Sequence, residues 1–89
     1  MKSSRTARFR KAFDDLPRQV QQQAREAYQR FKHNPYHPSL RFKQVHPTKP
    51  IYSVRISDDY RAVGVRDGDE IIWFWIGGHE AYDKLVGQL

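Results

Sequence analysis

The stretch from Ile51 to Leu85, IYSVRISDDYRAVGVRDGDEIIWFWIGGHEAYDKL, decides the fold. Apolar, aromatic and β-branched residues concentrate in three runs, about Ile51 to Ile56, Tyr60 to Arg66 and Asp69 to Ile76. Such runs, broken only by short polar turns, predict three consecutive antiparallel strands. Asp67-Gly68 between the last two is a strong hairpin signal, and a two-residue type I′ turn there pairs Arg66 with Asp69. That register puts Arg61 opposite Phe74, Val63 opposite Ile72 and Val65 opposite Glu70 on one face. Tyr60 with Trp75, Ala62 with Trp73 and Gly64 with Ile71 form the other. At the preceding turn, a three-residue loop over Ser57-Asp58-Asp59 sets Arg55 opposite Arg61, whereas a two-residue loop sets Ile56 there; the three-residue loop is preferred.

Working outward, Gly77-Gly78 ends the last strand, and Ala81, Tyr82, Leu85, Val86 and Leu89 recur at helical spacing, predicting a short final helix from His79. Upstream, Leu40 to Val45 reads as a further strand, followed by a proline-rich loop. Before it, Phe9, Ala12, Phe13 and Leu16 form one apolar stripe and Val20, Ala24, Ala27, Tyr28 and Phe31 another. Ser3 and Ser4 are the expected caps of the first helix, and Pro17 suits the first turn of the second. Asn34-Pro35 and His37-Pro38 end this helical hairpin, because a residue before proline is pushed out of the helical region. The expected architecture is α+β: an N-terminal helical hairpin on one side of an antiparallel sheet of about four strands, with a short C-terminal helix. Residues 1–89 read as one domain, with the sheet's opposite side free to gather polar side chains.

A chain of 89 residues builds only one modest core, and with no cysteine it has neither disulfides nor thiolate metal sites to add stability. The longest apolar run, Ile71 to Ile76, is too short to span a bilayer, so no membrane role and a cytoplasmic location are expected. The net charge of +6 is unevenly spread: residues 1–50 hold twelve Lys/Arg against three Asp/Glu, and residues 51–89 hold four against seven. A basic helical half is the footprint expected of nucleic-acid or acidic-partner binding; its plainer explanation is a solvated helix face.

Arg55 and Arg61 are the leading site candidates. Two like charges opposed on a sheet repel, and an anion bridging them relieves the repulsion; the plainer alternative is pairing with Asp58, Asp59 or Asp69. His79, beyond the glycine pair, titrates near neutrality when unperturbed, at about pH 6.5, and Tyr82 lies one helical turn on. Metal-free RNA cleavage needs a base for the 2′-hydroxyl, cations for the charged transition state and an acid for the leaving 5′-oxygen. The arginines suit the second task, and His79 and Tyr82 the first or third, in either order. His46 is a second-tier acid or base. Phe74 is a possible base-stacking residue. His33 and His37 lie four apart, but Pro35 breaks the helix between them and no other ligand completes a set, so no metal or cofactor is expected.

These residues also carry a family resemblance. Leu40-Arg41-Phe42-Lys43, Tyr52-Ser53-Val54-Arg55-Ile56, Tyr60-Arg61, Asp67-Gly68 and Ile76-Gly77-Gly78-His79 with Tyr82, after a helical hairpin ending in Asn-Pro, resemble the RelE/ParE superfamily of toxin-antitoxin toxins along nearly the whole chain. The resemblance implies a RelE-like fold and, for RelE-type members, metal-independent cleavage of mRNA in the ribosomal A site. By position it implies catalytic roles for Arg55, Arg61, His79 and Tyr82, beside which Arg41, Lys43, Lys49 and Phe74 are expected to contact RNA. It further implies a cognate antitoxin as partner, beside mRNA and the ribosome. The alternatives are a ParE-like inhibitor of DNA gyrase and a non-catalytic module that binds RNA or an antitoxin.

Overall fold

The computed structural model describes residues 1–89. In chain order it contains β1 (Lys2–Arg5), α1 (Ala7–Asp14), α2 (Arg18–His33), a 3-10 turn (Pro38–Leu40), β2 (Lys43–Gln44), β3 (Ile51–Arg55), β4 (Tyr60–Asp67), β5 (Glu70–Gly78) and α3 (His79–Gln88). The five strands form one sheet in the order β1-β5-β4-β3-β2, antiparallel except for β1, which runs parallel to β5.

The helical hairpin arises as its stripes dictate. Phe9, Ala24, Ala27 and Phe31 point inward and meet Leu40, Val54, Ala62, Ile71, Trp73 and Ile76 in one buried cluster. Phe31 anchors it, edge-on to both Phe42 and Trp73 at 5.2 and 5.4 Å between ring centroids. The cap of α1 is Thr6, whose hydroxyl accepts from the Phe9 amide at 3.1 Å. Ser3 and Ser4, the expected caps, belong instead to β1. Pro17 sits just outside α2 with extended ψ, not within its first turn.

Three strand expectations are corrected. β1 is a fifth strand, added in parallel to the edge of β5 with Lys2 beside Glu70 and Arg5 beside Trp73. The strand expected from Leu40 to Val45 shrinks to Lys43–Gln44, because Leu40 closes the 3-10 turn and Arg41 adopts a left-handed conformation at φ 47°. The β4–β5 loop is Gly68-Asp69, with Asp67 paired to Glu70. Only Gly68 has positive φ, the pattern of a type II′ turn with glycine first.

A bulge then separates the Gly64–Trp73 pair from the Val63–Trp75 pair and leaves Phe74 without a partner. The extra residue reverses the faces beyond it. Ile76 joins Ala62 on the side covered by α1 and α2, whereas Trp75 and Gly77 join Val63 and Arg61 on the other side. The β3–β4 register has Arg55 directly opposite Arg61, as the three-residue loop requires. On this second face α3 folds back across the sheet, with Tyr82 against Ser53 and Trp75.

Candidate nucleic-acid interface

The strands and α3 build a cleft of about 230 Å³ on the face away from the helical hairpin. Strand alternation delivers its floor: Lys43, Ser53, Arg55 and Arg61 lie on one face because Lys43 pairs with Ser53 and Arg55 with Arg61. The left-handed turn at Arg41 brings a further guanidinium to the rim. The first turn of α3 closes the other wall with His79, Tyr82 and Asp83. Four cations therefore face one lining carboxylate in a small concave site.

Four of the lining side chains, Tyr82, His79, Arg55 and Arg61, are held by identifiable partners. Tyr82 donates its hydroxyl to Ser53 Oγ at 3.0 Å, and its ring lies 6.3 Å from both the Trp75 and the His79 rings. Gly77 lets the Trp75 indole lie flat beside the strand, since a Cβ there would stand 2.8 Å from the ring. His79 Nε2 pairs with Asp83 Oδ2 at 3.2 Å, one helical turn on, and its backbone amide donates to the Asp59 carbonyl at 2.7 Å. Arg55 donates to the Asp58 carboxylate and, at 3.5 Å, to the Ser39 carbonyl. Arg61 reaches back over the β3–β4 loop, donating to the carbonyls of Ser57, Asp58 at 3.2 Å and Tyr60 at 3.0 Å. The hydrogen bond from Arg55, then its charge, holds the Asp58 carboxyl below its ordinary value, with smaller help from Arg61 and Arg41.

The structure thus gathers Arg41, Lys43, Arg55, Arg61, His79 and Tyr82 in one place. It does not bring the other expected residues there. Phe74, the unpaired bulge residue, and Lys49, in the loop before β3, are absent from the cleft lining. His46 also stands outside it; its Nδ1 accepts from the amides of Thr48 and Lys49 at 3.1 and 2.8 Å and so organises its own loop. His37 plays the same local part, its Nδ1 accepting from the Ser39 amide at 3.2 Å. No three His, Cys, Asp or Glu side chains gather anywhere into a set able to hold a metal ion. Arg66 lies over the Tyr52 ring at 5.4 Å and donates to the Tyr36 hydroxyl, and these tyrosine contacts raise its already high pKa. Asp83 in the cleft wall, and Trp75 as the ring supporting Tyr82 from outside the lining, were not among the sequence expectations. The i,i+4 spacing from His79 was a usable signal for the first, whereas the second depended on an unseen bulge.

A family model described as the ParE-like toxin domain matches residues 18–84. The chain belongs to this family of toxins, within the RelE/ParE superfamily. Solved structures share the fold. The RelB-RelE antitoxin-toxin complex from Methanococcus jannaschii matches with a TM-score of 0.73 at 15% identity, over 91% of this chain and 95% of that one. YafQ from E. coli strain BL21(DE3) gives 0.72 at 9% identity, over 91% and 96%. The YoeB/ParE toxin from Agrobacterium tumefaciens gives 0.68 at 14% identity, over 89% and 99%. No curated protein matches the sequence. The α+β architecture is therefore the RelE-like one, with five strands where about four were expected. No helix is long and apolar enough to cross a membrane.

Proposed function

We propose that this toxin is a ribosome-dependent, metal-independent mRNA endonuclease. The observation that carries the reading is the convergence of Arg55 and Arg61 from paired strands with His79 and Tyr82 from one turn of α3. In the reaction, the 2′-hydroxyl loses its proton to a base and its oxygen attacks the adjacent phosphorus. The bond to the 5′-oxygen breaks, leaving a 2′,3′-cyclic phosphate on one product, and an acid returns a proton to the departing 5′-oxygen of the other. Arginine side chains stabilise the charge that builds on the phosphorus-bound oxygens. His79 and Tyr82 divide the two proton transfers. Asp83 holds one imidazole nitrogen, and Ser53 fixes the phenol.

The test is a cell-free bacterial translation reaction in which mRNA 3′ ends are mapped with and without ribosomes. Ribosome-dependent cuts ending in cyclic phosphate are expected, with Arg61→Ala and His79→Ala each lowering the cutting rate by about a hundredfold or more, the scale of losing a transition-state donor or an acid-base group. Cutting that both variants leave intact would remove the site from this cleft.

The match to a ParE-like domain supports a second reading, in which the toxin inhibits DNA gyrase. Induction would then break DNA while mRNA stays whole, and the His79→Ala variant would remain toxic. Under either reading an antitoxin partner is proposed, in line with the RelB-RelE complex among the similar structures. An apolar groove of about 290 Å³ between the hairpin and the sheet, edged by Arg5 and Arg25, is suited to an amphipathic segment with acidic residues at its margin.

A further inference from the structure

The two arginines that the β3–β4 register sets face to face are both engaged by the loop that joins their strands. Arg55 holds the Asp58 side chain, and Arg61 holds the backbone carbonyls of Ser57, Asp58 and Tyr60. The His79 amide holds the same loop a third time, through the Asp59 carbonyl. A loop bearing a carboxylate is therefore pinned over the cationic end of the cleft by the cleft's own residues. Opposed like charges call for a compensating anion, and here the chain itself supplies one to Arg55 and carbonyl oxygens to Arg61. A carboxylate and a phosphodiester offer a guanidinium the same pair of oxygens. Arg55 foremost, and to a smaller extent the charges of Arg61 and Arg41, favour the ionised Asp58 carboxyl. Yet the Asp58 side chain is 88% exposed, against 27% for Arg55. The acid can leave while the base stays in place, because an exposed ion pair is held only weakly.

We propose that the Asp58 carboxylate is an internal stand-in for the substrate phosphate, and that it sets the affinity of the cleft for RNA by competing for Arg55. The biological meaning rests on the cleft being the RNA site proposed above, but the competition is a binding property that does not require cleavage. Its consequence is selectivity. A phosphate on free RNA must displace Asp58 from solution, whereas one presented by a large assembly that also holds the toxin does so at high effective concentration. One residue then biases the cleft against free RNA and toward RNA presented on the ribosome.

The experiment is a titration of a labelled, all-2′-deoxy oligonucleotide, which binds but cannot be cut, across a salt series. Asp58→Asn should tighten binding by about two- to fivefold, the span of an exposed ion pair. It should also steepen the fall of log affinity with log salt by up to about one unit, because no displaced carboxylate then takes up a cation to offset the one the phosphate releases. Asp59→Asn makes the same charge change one residue away without freeing Arg55, and should leave both quantities close to wild type. Asp58→Ser, expected to behave like Asp58→Asn, serves if the latter folds poorly. Unchanged binding in folded Asp58 variants, or equal tightening in Asp59→Asn, overturns the proposal. Parallel mapping of mRNA cuts separates the two readings: tighter binding with no cutting by any variant would sink the nuclease and leave the competition standing.

Discussion

Tyr82 and Ser53 share a single hydrogen bond, but the two ends of it are differently placed. Ser53 is 2% exposed beneath α3, so losing its partner strands a hydroxyl that water reaches poorly, whereas Tyr82 borders the open cleft. Tyr82→Phe should cost about 1–2 kcal/mol in urea unfolding, the scale of a broken buried hydrogen bond. Ser53→Ala removes the same bond from the other side, and should lower stability and, by freeing the phenol, lower RNA cutting to a smaller extent. If Tyr82 moves a proton, Tyr82→Phe loses far more cutting than Ser53→Ala; equal activity in the two variants would reduce the phenol to a prop. Asp58 gives a separate prediction at this scale. Its folded pKa lies below the ordinary 3.8, so whatever its pairing adds to stability is fully present above that value and lost as pH falls through the lowered one. The stability difference between wild type and Asp58→Asn should therefore persist through about pH 5 and shrink on further acidification, as read by thermal melts across an acid series. A difference that vanished near neutrality would contradict the assignment.

At the scale of elements, β5 governs the site, and its bulge governs β5. Gly64 pairs with Trp73 on the hairpin side of the bulge, where a Cβ would stand 2.9 Å from the Ile72 carbonyl oxygen, Ile71 Cγ1 and Trp73 Cε3. One of those neighbours is backbone, so the strand itself must shift to admit a methyl group. Gly64→Ala should destabilise the protein by about 1–3 kcal/mol, the usual cost of overpacking. A chemical melt is the direct check, and Gly87→Ala, in the last turn of α3 with nothing near its Cβ, is the control that should cost nothing or stabilise slightly. The bulge also explains what the sequence could and could not reveal. The strands, the helical hairpin and the Arg55–Arg61 pair were legible because alternation and turn length are local signals. A bulge adds one residue without changing composition, so strict alternation placed Phe74 beside Arg61, a position where the structure has Gly77 opposite Arg61 and Trp75 on the same face. β1 was illegible for another reason. Its residues, Lys2-Ser3-Ser4-Arg5, bury almost nothing and are ordered by hydrogen bonding to the edge of β5, a long-range contact that leaves no apolar trace. Arg41 carries no turn signal either, although its left-handed backbone is what sends Phe42 to the core and Lys43 to the cleft.

Over the whole molecule, charge is separated from its compensation. One ion pair joins permanently charged groups, Arg55 with Asp58, and the other carboxylate contact is from His79 to Asp83, so none of the twelve cations before residue 51 forms an ion pair with a carboxylate of the same chain. Arg8, Arg18 and Arg30 are exposed on the hairpin, which packs on the face opposite the cleft. A toxin that docks on ribosomal RNA through this half would keep association and chemistry on different surfaces. Replacing those three arginines with glutamine should weaken co-sedimentation with ribosomes. It should also flatten the dependence of log affinity on log salt by up to about one unit per charge removed. Arg61→Ala should do the reverse, sedimenting with ribosomes almost as wild type while cutting no mRNA. If the triple variant associates and cuts unchanged, the basic half is a solvated surface and the cleft must supply the affinity alone. Four cations, one of them paired internally with Asp58, would then have to hold the toxin in place, which predicts a salt dependence no steeper than the cleft's own few phosphate contacts.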